Sequence, residues 1–379
     1  MPDLGDIVVH FQRVHIFALA IGIIALLNLF TIRRPTPKLL SREKPLVSVL
    51  VPARNEEHNI QKCLRSLFAQ DYPRLEILVW DDCSTDRTRE ILTAIQDERF
   101  RWTKGTPPPP GWLGKSWACY NLAQKARGEI LIFTDADTWH EPSSLSRLVE
   151  VMYHEHLDAL SGVAREVTVT WGEKLTVPFM VWSVAALYPH LLSFFFPRSR
   201  ALAVGNGQLM AFRRSTYWAI DGHQGVRGKV IEDMELARTL RLRGYRYRFY
   251  NLTDLLSCRM YRNFREAFQG MVKSYFWVFG GNIIFSSFVW GWLLFYNLYP
   301  YYLLLSNRHH SLALLTIGVN AFSWGIVALF YRVTPWVVLF NPAILLINVF
   351  IGWTSTVLTR MKRVTWKGRR ILTASPPPR

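Results

Sequence analysis

Short apolar runs alternate with amphipathic segments between residues 46 and 134. The runs 46–52, 75–80 and 129–134 are rich in β-branched and aliphatic residues, a pattern typical of strands buried on both faces of a sheet. The segments 57–69 and 86–95 place apolar residues at helical spacing between these runs. The alternation predicts βαβ units and an α/β fold with a mostly parallel sheet.

An uncharged, mostly apolar stretch lies near the amino terminus. Residues 16–32 are close to the lower limit of length for a helix that crosses a hydrocarbon core of ~30 Å. No small-x-small cleavage site follows this stretch, whereas Arg33 and Arg34 do. We therefore interpret it as an uncleaved anchor whose carboxyl end faces the cytoplasm.

Three further uncharged stretches lie at the other end of the chain: 274–305, 311–331 and 333–359. Each exceeds the roughly 20 residues that a spanning helix needs. If all three cross the membrane, the basic tail ends outside, against the positive-inside rule, whereas two crossings place it inside. The Gly280-Gly281 pair and Pro300 therefore predict that part of the first stretch is re-entrant or interfacial. The number of crossings, two or three, stays open.

The apolar stretch 175–196 is also long enough to span a membrane, but it contains Pro178, Pro189 and His190. We interpret it as helices that lie in the headgroup plane. The reason is that it separates the DAD motif at 135–137 from the GNGQ motif at 205–208, which are expected below to share one site. The predicted organisation is an anchor at 1–32, a basic linker at 33–45, a cytoplasmic α/β domain at 46–273, a membrane region at 274–359 and a basic cytoplasmic tail at 360–379.

The charge distribution favours a membrane over a nucleic acid as partner. Lys and Arg total 45 against 28 Asp and Glu, which gives a formal net charge of +17. Residues 274–379 contain no Asp or Glu and are otherwise mostly apolar, as in membrane segments whose basic flanks face an anionic surface. The four cysteines form no CxxC pair, so we expect reduced thiols and neither a zinc site nor disulfides.

Acidic residues follow each of the three predicted strands, in the segments PARNEE, DDCSTD and DADTW. The carboxyl ends of parallel strands meet at one edge of a sheet, where ligands bind. Asp135 and Asp137 would face the same side of an extended segment, and their carboxylates would repel without a cation. Such oxygen ligands select Mg²⁺ or Mn²⁺. For Ser84-Thr85-Asp86 we prefer a helix-capping role.

Two later segments are candidates for the same site. Gly205 and Gly207 flank Asn206 and would let the backbone approach a ligand closely, although an ordinary turn uses the same residues. Glu232 and Asp233 begin a run with helical spacing. A favourable interaction with the helix dipole is the alternative explanation for these two carboxylates.

Together these motifs resemble the family-2 inverting glycosyltransferases of the GT-A fold, which has a Rossmann-like, mostly parallel sheet. The resemblance rests on VPARNEE at 51–57, DDCSTD at 81–86, DAD at 135–137, GNGQ at 205–208 and ED at 232–233, which occur in the family's order. The layout of the terminal apolar segments looks like that of the ceramide, hopanoid and carotenoid glycosyltransferases. The motifs GWLGKSWA at 111–118, RMYR at 259–262 and WKGRR at 366–370 look most like the bacterial carotenoid and hopene-associated members.

The resemblance implies a role for each candidate residue. Pro52, Arg54, Glu56 and Asp82 would hold the base and ribose, Lys115 the diphosphate, Asp135 the nucleotide sugar and Asp137 the metal, with Asp233 as the general base and Gly205, Asn206, Gly207, Glu232 and Gln269 in supporting or acceptor roles. The implied reaction is metal-dependent transfer of a hexose, by single displacement, from a nucleoside diphosphate sugar, with UDP-glucose favoured, to a lipid hydroxyl. The implied location is a bacterial inner membrane.

The chain departs from the family pattern at one point. Many members carry Q-x-x-R-W near the membrane, whereas residues 269–273 have Gln269 without the Arg-Trp pair. Arg262, Arg265 and Lys273 are the expected substitutes. The missing pair argues against a polysaccharide synthase, which stays an alternative together with a non-catalytic scaffold.

A basic run between Arg238 and Arg248 alternates with aromatic residues. We expect either contact with anionic lipid headgroups, where each basic residue contributes about 1 kcal/mol, or an ordinary solvated face.

Overall fold

The computed structural model describes residues 4–36, 44–306 and 309–371, with side chains from residue 13. The chain divides into two units. The α/β unit comprises Ile32–Val167, Ser193–Met260 and Lys367–Arg379, and the helical unit comprises Met1–Thr31, Thr168–Leu192 and Tyr261–Trp366.

Strands and helices are numbered in chain order. The strands are β1 (Val47–Ala53), β2 (Leu75–Asp81), β3 (Phe100–Lys104), β4 (Ile130–Thr134), β5 (Thr138–His140), β6 (Ala159–Val163), β7 (Arg165–Glu166), β8 (Leu209–Arg213), β9 (Tyr247–Asn251), β10 (Leu256–Cys258), β11 (Thr365–Trp366) and β12 (Arg369–Arg370). The helices are α1 (Leu4–Thr31), α2 (Ile60–Phe68), α3 (Thr88–Thr93), α4 (Gly114–Lys125), α5 (Ser144–His154), α6 (Trp171–Lys174), α7 (Pro178–Trp182), a π-helix (Ser183–Leu187), α8 (Leu192–Phe195), α9 (Arg214–Ala219), α10 (Gly222–Gly225), α11 (Glu232–Leu242), α12 (Phe264–Val278), α13 (Ile283–Leu305), α14 (His310–Phe330) and α15 (Val337–Arg360).

A seven-stranded sheet in the order β3-β2-β1-β4-β8-β6-β9 forms the centre of the α/β unit. Strands β1, β2, β3 and β4 run parallel, as predicted, and β6 pairs in parallel with β9. Strand β8 lies antiparallel to both β4 and β6. The α/β fold class with a mostly parallel sheet is therefore confirmed, with β8 as the strand that runs against its neighbours.

Alternating side chains of the central strands supply two hydrophobic cores, one on each face of the sheet. Val49, Ile77 and Ile132 point to the face covered by α2 and α5. Leu50 and Leu131 point to the opposite face, where α4 packs. This burial on both sides explains why the strands read as continuous apolar runs in the sequence.

The helices after β1 and β2 are shorter than the sequence pattern predicts. Helix α2 begins at Ile60, because the Glu56 carbonyl accepts hydrogen bonds from the amides of Asn59 and Ile60 in a preceding turn. Helix α3 begins at Thr88, whose amide donates to Asp86 Oδ1 at 3.0 Å. Asp86 thus accepts a hydrogen bond from the first amide of α3, which is a contact of the kind expected from a capping residue.

Long apolar helices dominate the helical unit. Among the described residues, three segments are long and apolar enough to cross a membrane: Arg13–Thr31, His310–Phe330 and Val337–Arg360. Helices α12 and α13 form a bent pair with an angle of 116° between them, and they add a fourth span if counted as one. The bend falls at Gly280 and Gly281, both at φ 69°, whereas Pro300 lies inside α13. The bend thus lies at the glycine pair, whose positive φ values interrupt the helix. A re-entrant or interfacial position for part of this stretch stays a prediction.

The stretch 175–196 contains short helical segments and no candidate span. In the helical unit, Trp182 at the end of α7 is buried and stacks on Trp324 of α14 at 5.1 Å between ring centroids. The Trp182 indole N–H also donates to Ser323 Oγ at 3.1 Å. These contacts anchor α7 against α14. A position of this stretch in the headgroup plane stays a prediction.

Much of the basic run is engaged within the α/β unit. Arg238 pairs with Glu235 at 2.5 Å, and Arg248 pairs with Glu155. The exposed Arg243 pairs with Asp221 at 3.1 Å. These guanidinium groups already have carboxylate partners, so headgroup contact through them would compete with existing ion pairs.

We predict that Leu131→Ala destabilises the chain strongly, because Leu131 is fully buried next to the candidate site on β4. Truncation of a buried leucine costs about 2–5 kcal/mol of unfolding free energy. The matched control is Leu242→Ala, where the side chain is 53% exposed and the expected change is below about 0.5 kcal/mol. Chemical unfolding of the detergent-solubilised chain, followed by circular dichroism, measures both. Equal losses would contradict the assigned core.

Candidate active site

A pocket opens at the carboxyl ends of β1 and β4 in the α/β unit. Its lining residues are Pro52, Lys115, Cys119, Phe133, Thr134, Asp135, Gly207, Met210, His223, Glu232 and Asp233. The structure thus brings together candidates from five separate sequence motifs. It also adds residues that the motif reading missed, mostly apolar core residues for which no sequence signal existed.

Lys115 is the central positive charge of the pocket. It lies in the first turn of α4, and its Nζ is 2.7 Å from Asp135 Oδ1 and 3.1 Å from Glu232 Oε1. Burial would lower the pKa of the ammonium group, but Asp135 and Glu232 outweigh burial and raise it well above its usual value. Lys115 therefore stays charged and joins the end of β4 to the start of α11.

Asp233 is held by backbone amides at the amino-terminal end of α11. Its Oδ2 accepts a hydrogen bond from Gly207 N–H, and its Oδ1 accepts one from Met234 N–H, both at 2.7 Å. Burial, and then the neighbouring Glu232 carboxylate, raise the pKa of Asp233 to about 6, although Lys115 acts in the opposite direction. A carboxylate with this pKa is ionised at neutral pH and basic enough to accept a proton.

The glycines around Asn206 let the backbone approach other protein groups closely, rather than a ligand. A Cβ on Gly205 would collide with the backbone carbonyl of Asp233, and one on Gly207 would lie 2.7 Å from Lys115 Nζ. Asn206 itself exchanges hydrogen bonds with Gln208, at 3.0 Å in each direction. The 205–208 segment therefore fixes the position of Asp233 and Lys115 against each other.

Asp137 lies at a second, half-buried position beyond β4. Burial, then Glu56 and then Asp135 raise the pKa of its carboxyl to about 7. Its Oδ1 meets only weak donors, the Cys258 thiol and the Thr138 hydroxyl, each at 3.4 Å. A half-buried carboxylate surrounded by negative charge is stabilised by a cation, so this donor set fits the divalent ion expected at Asp137.

The described residues contain no group of three or more His, Cys, Asp or Glu side chains that would hold a metal by themselves. Binding of Mg²⁺ or Mn²⁺ at Asp137 therefore stays a prediction, and it would need further ligands from water and substrate phosphates.

The remaining candidates, Arg54, Glu56 and Asp82, lie at the ends of β1 and β2 and contact the end of the chain. Arg54 Nη1 donates to the Asp82 carbonyl at 2.6 Å. Glu56 forms an ion pair with Lys367, and Asp82 forms one with Arg369 at 2.6 Å. The motif reading placed 366–370 in a tail and missed these contacts, because nothing in the local pattern joins the two regions.

Gln269 and the residues expected to replace the Arg-Trp pair belong to the helical unit. Gln269 and Arg265 are exposed on α12, Lys273 is partly buried on the same helix, and Arg262 is partly buried just before it. Lys273 lies 5.0 Å from the Trp366 ring centroid within the same unit.

Comparison with known proteins agrees with this fold. The chain is similar in structure to a mannosyltransferase from Pyrobaculum calidifontis that was solved with GDP-Man and Mn2+. The two superpose with a TM-score of 0.52 at 20% identity, over 92% of this chain and 99% of the mannosyltransferase. The chain therefore has a GT-A-like fold. Residues 48–220, somewhat less than half of the chain, match the family model described as glycosyl transferase family 2, and this range includes the pocket residues from Pro52 to Met210.

Curated relatives are similar over part of the chain. A 4,4'-diaponeurosporenoate glycosyltransferase of Staphylococcus haemolyticus is 27% identical over 230 residues, 60% of this chain and 60% of its own length. A beta-monoglucosyldiacylglycerol synthase of a Nostoc species is 30% identical over 171 residues, 43% of this chain and 36% of its own. The chain thus spans less than two thirds of the length of these relatives.

We predict that Gly205→Ala lowers the melting temperature of the chain by several degrees. The new Cβ would meet the rigid Asp233 backbone rather than a flexible side chain. The control Gly225→Ala places its Cβ at an ordinary 3.4 Å from its neighbours and should leave the melting temperature nearly unchanged. Differential scanning fluorimetry in detergent compares the two. A Gly205→Ala variant as stable as its control would contradict the close contact.

Proposed function

We propose that the chain is a membrane-bound inverting glycosyltransferase that moves a hexose from a nucleoside diphosphate sugar to the hydroxyl group of a membrane lipid. The observation that carries this proposal is the position of Asp233, which two amides hold beside Lys115 in a pocket at the carboxyl edge of a GT-A sheet. The match of residues 48–220 to the model of glycosyl transferase family 2 supports the reaction class.

Asp233 is the proposed general base. As the acceptor oxygen bonds to the anomeric carbon, the bond from that carbon to the diphosphate oxygen breaks, and the acceptor proton passes to the Asp233 carboxylate. A base positioned in this way contributes about 10²–10⁴-fold to the rate. A single displacement inverts the anomeric centre, so an α-linked donor gives a β-linked product.

The proposed donor site uses the other candidates. Pro52, Arg54, Glu56 and Asp82 would hold the nucleoside, and Lys115 and Asp135 would contact the diphosphate sugar. Asp137 would hold Mg²⁺ or Mn²⁺, which neutralises charge on the departing diphosphate. Gly205, Asn206, Gly207 and Glu232 keep Asp233 in place, and Gln269 stays a proposed acceptor-side residue. UDP-glucose is the favoured donor.

The long apolar helices support a lipid acceptor. A lipid cannot leave a bilayer cheaply, because exposure of each CH₂ group costs ~0.8 kcal/mol, so an enzyme that uses one gains from being a membrane protein itself. Two relatives carry names of carotenoid and glycerolipid glycosylation. We therefore propose a carotenoid, hopanoid or ceramide-like alcohol as acceptor, an inner-membrane location and a cytoplasmic catalytic domain at residues 46–273 flanked by the anchor and membrane regions predicted above.

Asp233→Asn tests the proposed reaction. Membranes that contain the chain, supplied with radiolabelled UDP-glucose and Mn²⁺, should transfer label to an organic extract, and the variant should do so about 10²–10⁴-fold more slowly. Variant and parent should bind UDP equally, because the change removes the base and leaves the donor contacts. Label in an insoluble polymer would instead indicate a polysaccharide synthase. Loss of transfer with every donor sugar and lipid tried, despite UDP binding, would favour a scaffold.

The acid limb of the pH–rate profile provides a second test. Asp233 must be deprotonated to act as base, so kcat/KM should fall as pH decreases through about 6, the value to which burial and Glu232 raise its pKa. Glu232→Gln removes a neighbouring negative charge, lowers the pKa of Asp233 and should move the acid limb to lower pH. An acid limb that this substitution leaves in place would show that another group controls it.

A further inference from the structure

The tail residues Lys367 and Arg369 reach the two carboxylates proposed to hold the nucleoside. The ammonium of Lys367 pairs with Glu56 and also donates to the Arg54 carbonyl at 2.8 Å. The guanidinium of Arg369 pairs with Asp82 at 2.6 Å. All these residues belong to the α/β unit, although more than 280 positions separate the partners in sequence: the Arg369–Asp82 separation is 287.

A tight hairpin presents these cations. Strands β11 and β12 pair with Lys367 and Gly368 between them, at φ 43° and 74°. A two-residue hairpin loop favours a turn in which both central residues have positive φ. Lys367 occupies the first of these positions, although a lysine rarely adopts positive φ. Strained residues of this kind persist where surrounding contacts hold them, here the bonds from Lys367 to Glu56 and Arg54.

Positive charge is in excess at this place. Arg54, Lys367 and Arg369 gather around Glu56 and Asp82, and the proximity of Arg369, after burial, lowers the pKa of the Arg54 guanidinium. An anion that binds beside these three cations would relieve the repulsion among them. A diphosphate has this charge.

We propose that residues 367–370 of the α/β unit complete the donor site and that Lys367 and Arg369 bind the diphosphate of the nucleotide sugar. The inference rests on the proposed function. In it, Lys367 and Arg369 take the place of the missing Arg-Trp pair, instead of the expected substitutes Arg262, Arg265 and Lys273. When the donor binds, its phosphate oxygens share the Lys367 ammonium with Glu56 and the Arg369 guanidinium with Asp82.

Binding of UDP and of uridine to the detergent-solubilised full chain, with Mn²⁺ present, tests the proposal. Lys367→Asn removes the ammonium group and keeps the turn, because Asn adopts positive φ readily. Arg369→Gln removes the guanidinium group. Each should weaken UDP binding roughly ten- to one-hundredfold, as for a charged hydrogen bond, and change uridine binding by less than about threefold. Arg363→Ala, a change of the same charge at an exposed tail residue, is the control and should change neither.

Other outcomes would overturn the proposal in recognisable ways. Equal losses of UDP and uridine binding would assign the hairpin a structural role. Tighter UDP binding by the variants would make it an autoinhibitory cover. Unchanged UDP binding would remove it from the site. If the parent chain binds neither UDP nor GDP, the proposed function itself fails, and this inference fails with it.

Discussion

Several carboxylates lie where the strands of the central sheet end, and the α/β unit depends on balancing their negative charge. Isolated buried carboxylates would be costly, so each needs a cation or several amide donors. Lys115 serves Asp135 and Glu232 together, and Arg89 serves the fully buried Asp81 at 3.0 Å. The same ion pairs fasten α4 and α11 to the ends of the strands, so charge compensation also determines where the helices lie.

Asp233 is held by backbone amides, whereas Asp135 and Glu232 form ion pairs with Lys115, and this difference suits Asp233 for catalysis. Two amides hold its orientation, yet burial and the adjacent Glu232 leave its pKa raised to about 6. A fully compensated carboxylate would be too weak a base at neutral pH. The glycines at 205 and 207 make this possible, because a Cβ at 205 would collide with the Asp233 backbone and one at 207 would collide with the Lys115 ammonium.

The helical unit follows a simpler rule, in which length and apolarity decide the elements. Helices α14 and α15 and the segment 13–31 coincide closely with uncharged stretches of the sequence. The exception is the bend between α12 and α13, where two glycines at positive φ interrupt a continuous apolar run. Hydropathy alone could flag this stretch as irregular, but it could not distinguish the glycine pair from Pro300 as the cause, since proline can also lie inside a helix.

The sequence by itself determined the strands, the carboxylates at their ends and the apolar helices, because periodicity, strand-end chemistry and segment length are local properties. It also placed Asp135, Glu232 and Asp233 in one expected site through the order of their motifs. Only the tertiary structure decided that β8 runs antiparallel, that Lys115 joins Asp135 to Glu232, and that Lys367 reaches Glu56. The last contact joins residues 311 positions apart, and such a contact leaves no periodic signal in the chain because folding alone brings its partners together.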